Sequence, residues 1–101
     1  MFNLDKFEKE NLGYRVEGLN DFLITEIRDE ECRNIIVQFL ELENFRSGEY
    51  EGNIYMIHKI DVHNVVLIDL ILEEVDGKAS ERSRCKLKVV EILDLIKNYT
   101  L

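Results

Sequence analysis

Few side chains in this sequence have types and spacing suited to chemistry. His58 and His63 are its only histidines, and Lys59 lies beside the first. Two histidines and a lysine can serve as an acid–base set in a ribonuclease-like hydrolase. If both occupy one strand, however, their odd separation puts them on opposite faces. His-x4-His with no adjacent Cys or carboxylate pattern is not a zinc arrangement. The preferred reading packs His58 against the core and leaves His63 capping a solvated turn, with no metal and no cofactor. A small His-dependent hydrolase remains the catalytic alternative.

Cys32 and Cys85 are isolated thiols. A cysteine nucleophile needs a neighbouring base and a lowered pKa, and Cys85 instead falls on an apolar stripe, where burial is expected. Two lone cysteines in a cytosolic chain are expected to stay reduced. No Gly-x-Ser-x-Gly, phosphate-binding loop or dinucleotide fingerprint occurs. An enzyme is therefore not expected. Asp69 interrupts the longest apolar run, Val65 to Leu72, and a carboxylate there calls for a cation such as Arg82 or Lys86. Arg82, Arg84, Lys86 and Lys88 form the one basic cluster.

Charge is the stronger signal. The formal net charge is −8, which argues against nucleic acid, because its binders need clustered Lys and Arg. Residues 1–51 hold 13 acidic and 6 basic side chains, a net of −7, whereas residues 52–101 hold 8 and 7, a net of −1. Glu26, Asp29, Glu30, Glu31, Glu41, Glu43, Glu49 and Glu51, with Phe45 and Tyr50 among them, form the candidate partner-binding surface. Acidic patches with embedded aromatics suit electrostatically steered docking onto a basic protein.

These residues need elements to hold them. At 101 residues and 46% hydrophobic, with no linker, the chain is read as one domain over 1–101. The expected fold is α+β: an antiparallel four- to five-stranded meander with a short N-terminal helix and a longer C-terminal helix packed on it. Asn3 caps a helix over 3–11. Alternation predicts strands at 14–18 and 22–28, joined by a turn at Gly18-Leu19-Asn20-Asp21. Residues 53–62 and 65–74 form a hairpin about His63-Asn64, and the second strand, apolar on both faces, is central and covered on each side. Residues 46–52 and 76–79 are loops. Ser80 caps the last helix, whose stripe is Cys85, Val89, Ile92, Leu93, Ile96 and Tyr99.

Residues 29–45 fit two readings. Cys32, Ile35, Ile36, Phe39 and Leu40 match a helical template, but the β-branched Ile35-Ile36-Val37 and the alternation from Val37 onward favour a strand. The strand is preferred. With this segment helical, the order becomes αββαββα, which resembles the layout of type III secretion chaperones and implies a dimer that binds an effector segment.

No run approaches the roughly 20 apolar residues of a membrane span, and the charged N-terminal stretch is unlike a signal peptide. A cytoplasmic location is expected, as a monomer or homodimer. The expected function is a non-enzymatic acidic protein that neutralises a basic partner, such as a nuclease or toxin. In type, the chain is similar to toxin immunity proteins, antitoxins and phage-encoded inhibitors.

Overall fold

The computed structural model describes residues 2–41, 46–77 and 81–100. It opens with three helices. In α1 (Leu4–Glu10), Asn3 accepts from the Lys6 N–H at 3.0 Å and Phe7 is buried. The two strands expected at 14–18 and 22–28 do not form: residues 14–16 lie in a turn, and α2 (Glu17–Glu26) takes up the chain from there to Glu26. Its buried residues are Leu19, Phe22, Leu23 and Glu26, an i, i+3, i+4, i+7 stripe with one polar member. That polar member breaks the apolar period, so alternation around Leu23, Thr25 and Ile27 looked stronger than it was. The expected turn at residues 18–21 lies within the helix.

α3 (Glu30–Leu40) settles the ambiguity at 29–45 as a helix as far as Leu40, against the strand reading. Ile36, Phe39 and Leu40 are all buried, whereas Ile35 is 49% exposed. Adjacent Phe39 and Leu40 cannot both face inward on a strand. Asp29 accepts from the Cys32 N–H at 2.8 Å and caps the helix. Because α2 is also helical, the αββαββα order does not arise.

The sheet follows as β1 (Gly48–Glu51), β2 (Tyr55–Lys59), β3 (Asn64–Asp69) and β4 (Arg84–Lys88). It is a four-stranded antiparallel meander in the order β1-β2-β3-β4, so the expected α+β meander holds. Its strands come partly from other segments than those anticipated. β1 lies in the stretch read as a loop, and β4 in the stretch assigned to the last helix. The β2–β3 hairpin forms as expected, with Ile57 opposite Leu67. Asp61 builds its turn by accepting from the His63 and Asn64 N–H groups at 2.8 and 2.9 Å.

β3 is central, but it ends at Asp69. There α4 (Leu70–Asp76) begins, capped by the Asp69 carboxylate through the Ile71 and Leu72 N–H groups at 3.0 and 3.1 Å. Asp69 thus terminates a strand and does not meet Arg82 or Lys86 as anticipated. α5 (Val89–Asn98) completes the chain and buries Val89, Ile92 and Ile96. Among the described residues, no helix is long and apolar enough to cross a membrane.

The core lies on one sheet face. Tyr55, Ile57, Val65, Leu67, Cys85 and Leu87 meet Phe7, Phe22, Ile36, Leu40 and Ile92 there. Strand pleating sends Glu49, Glu51, His58, Val66, Lys86 and Lys88 to the opposite face. The full second layer expected there is not formed. Ile68 is buried, but Val66 is half-buried and His58 and Lys86 are exposed.

Candidate functional site

The acidic residues divide by structural duty. Glu26 does not belong to the surface: it is 4% exposed. Its carboxylate accepts from the Asn53, Ile54 and Tyr55 N–H groups at 2.9, 2.8 and 3.0 Å. The end of α2 is thereby latched onto the β1–β2 turn. Gly52 makes this approach possible, because a Cβ there would stand 2.2 Å from Glu26 Oε1. Asp29 is occupied as the α3 cap, and backbone hydrogen bonding from Cys32 holds its carboxyl below the usual carboxylate range. Glu30 pairs with Arg33 at 3.0 Å.

Glu31, Glu41, Glu49 and Glu51 remain exposed. Glu43 and Phe45 lie outside the described residues. Tyr50 points from β1 toward the core and is half-buried against Phe39, with ring centroids 6.0 Å apart. Burial raises its hydroxyl pKa, and the neighbouring Cys32 and Glu26 add to that rise. These neighbours place the head of α3 and the end of α2 beside β1. Of the acidic side chains left over, Glu49 and Glu51 lie on β1, Glu31 lies in the first turn of α3, and Glu41 lies at the far end of that helix.

The two edges of the sheet differ. On β4, the Asn11 carboxamide stands in for a strand: its Nδ2 donates to the Lys86 carbonyl at 3.1 Å, and its Oδ1 accepts from the Lys86 N–H at 2.7 Å. β1 pairs with β2 alone. Its other edge carries no hydrogen bond to any described residue.

The histidines do not converge. His58 stands exposed on β2 between Glu49 and Val66. His63 sits in the hairpin turn, where its carbonyl accepts from the Val89 N–H. His58 therefore does not pack against the core as expected, since the inward face of β2 belongs to Tyr55, Ile57 and Lys59. Among the described residues, no three His, Cys, Asp or Glu side chains come together as a metal site would require.

Cys85 is 1% exposed on β4, and burial pushes its thiol up to about 12. That suits an inert core position and not a nucleophile. A hollow of about 450 Å³ lies beside the end of α1 and is lined by Asn11, Leu12, Val66, Arg84 and Lys86 among others, with neither histidine. The basic cluster lies on a strand and not on a helix. Arg84, Lys86 and Lys88 share the solvent-facing side of β4, Arg84 bonds Glu73 at 2.6 Å, and Lys88 Nζ bonds Asn64 at 2.8 Å. Arg82 precedes β4 and pairs with Asp76 at 2.6 Å.

Sequence reasoning missed three polar residues with structural work: Glu26, Asn11 and Lys59. Lys59 is 0% exposed. Its ammonium donates to the Leu40 and Glu41 carbonyls at 3.0 and 3.1 Å, at the negative end of α3. The available signal was register: Glu26 continues the Leu19–Phe22–Leu23 stripe, and Lys59 continues the Tyr55–Ile57 alternation.

Compared with protein-family models, curated proteins and solved structures, the chain matches none of them.

Proposed function

We propose that this protein is a non-catalytic binding protein of the cytoplasm that docks a basic protein, such as a nuclease or toxin, and neutralises it. The observation carrying this reading is the division of labour among the acids. The carboxylates of Glu49 and Glu51 on β1, and of Glu31 in the first turn of α3, are exposed and make no hydrogen bond or ion pair among the described residues, and Glu49 and Glu51 lie along the outer edge of β1, which no described strand joins. Carboxylates that stabilise nothing locally are free to meet cations of another molecule and to speed its arrival. The separation of His58 from His63 supports a binding role over a hydrolytic one.

The test is capture of partners from native lysate by the tagged chain, at about 50 mM and about 500 mM salt, a range over which exposed charge becomes strongly screened. A basic protein held at low salt and released at high salt is the expected result. A partner held equally at both would refute acidic docking.

A further inference from the structure

We infer that the outer edge of β1 receives an extended basic segment of the partner as a fifth strand of the sheet. This rests on the docking reading above and specifies its mode. The hydrogen-bond phase of β1 is set at its end, where the Gly52 N–H donates to the Tyr55 carbonyl at 2.9 Å. In an antiparallel ladder the bonded pairs alternate. Tyr50 opposite Ile57 and Gly48 opposite Lys59 therefore bond toward β2. Glu49 and Glu51 turn their N–H and C=O groups outward, and no described residue meets them. Tyr50, held against Phe39, keeps the strand in place from the core side.

The same two residues display their carboxylates on the solvent-facing side of the sheet. In an added antiparallel strand, the residue bonded to Glu49 through its backbone also stands opposite it in side chain, with Cβ atoms about 5 Å away. A lysine or arginine at every second position would therefore meet Glu49 and Glu51 while its backbone completes the ladder. Strand addition draws affinity from main-chain bonds and specificity from alternate side chains.

Charge selects the occupant. A second copy of β1 would bring Glu49 and Glu51 against Glu49 and Glu51, and directly opposed like charges destabilise a sheet. The basic strand of a second copy, β4, has its outer edge closed at Lys86 by Asn11. Neither edge of this chain suits its own β1, which leaves a basic strand from a different protein.

The test uses the full chain and a fluorescent eight-residue peptide of alternating lysine and threonine, read by anisotropy at low salt. Its control is the same peptide N-methylated on the lysine backbone nitrogens, equal in charge but unable to donate to the β1 edge. The parent peptide is expected to bind, and the methylated one to bind about tenfold more weakly or worse, as loss of two backbone hydrogen bonds would give. Slowed amide exchange at Glu49 and Glu51 on binding the parent peptide is expected in the unaltered chain, which needs no variant to fold. Equal binding of both peptides would overturn strand addition while leaving charge-driven docking in place. Binding unaffected by Glu49→Lys with Glu51→Lys would overturn both.

Discussion

Glu26→Ala is the substitution with the largest expected effect. It removes a carboxylate that takes three backbone N–H groups at 2.8 to 3.0 Å and leaves those donors facing a buried gap. Hydrogen bonds to charged groups contribute about 1.5–3 kcal/mol each and are not additive in one cluster, so the combined loss is about 4 kcal/mol. Against the roughly 5–15 kcal/mol that stabilise a domain of this kind, that is a large fraction. With a urea m-value of about 1.5 kcal/mol/M, the unfolding midpoint should fall by nearly 3 M.

Gly52→Ala provides the internal check. Its new Cβ would collide with the carboxylate, so it should destabilise the wild-type chain by about 2 kcal/mol. In the Glu26→Ala background, where the carboxylate is gone, most of that cost should vanish, giving a coupling of more than about 1 kcal/mol. Equal cost of Gly52→Ala in both backgrounds would refute the latch, as would a loss below about 1 kcal/mol for Glu26→Ala alone.

Three further outcomes are expected. Lys59→Met, which removes the ammonium from the end of α3, should cost about 2 kcal/mol in urea unfolding. Burial lowers the Lys59 pKa below its ordinary 10.5, so the unfolded state holds more protons between the two values and wild-type stability should gain on the variant as pH rises through that window. A thiol reagent should label Cys32, which is half-buried, and leave native Cys85 untouched, so Cys32→Ser should abolish labelling until the protein unfolds. Asn11→Ala should cost about 1–2 kcal/mol and speed amide exchange at Lys86, whereas Asn11→Asp, which has no N–H to give the Lys86 carbonyl, should cost no less.

The legible parts of the fold were those where local chemistry and the apolar period agree. Asn3 before Leu4 and Phe7, and the turn residues Asp61 and Asn64 between the two halves of a hairpin, are signals of that kind. The illegible parts are those where a polar residue occupies an inward position. Glu26 in the α2 stripe made the second half of a helix read as the strand expected at 22–28. β4 was lost for another reason: Cys85, Val89, Ile92 and Ile96 are spaced as on a helix, while Cys85, Leu87 and Val89 also alternate as on a strand. The break between β4 and α5 falls at Lys88, whose N–H donates to Glu91, a cap chemistry hidden inside one continuous apolar pattern.

The candidate surface was legible as charge but not as geometry. Composition placed the acidity in the first half, but it cannot show that Glu26 is consumed by backbone donors while Glu49 and Glu51 flank an open sheet edge. That distinction depends on β1, only four residues long and rich in Glu. Such a strand carries too little hydrophobic pattern to be seen before the sheet is assembled. Charged residues on a short edge also keep a sheet from pairing with copies of itself, a duty that Glu49 and Glu51 on β1 are placed to serve.

The most direct test of the account is a paired capture from native lysate. The wild-type chain and the chain carrying Glu31→Lys, Glu49→Lys and Glu51→Lys are compared at low salt, with bound proteins identified by mass spectrometry and both chains checked for equal unfolding midpoints. The account predicts a basic protein on the wild-type chain that is absent from the equally stable variant. The same protein retained by both chains would contradict it.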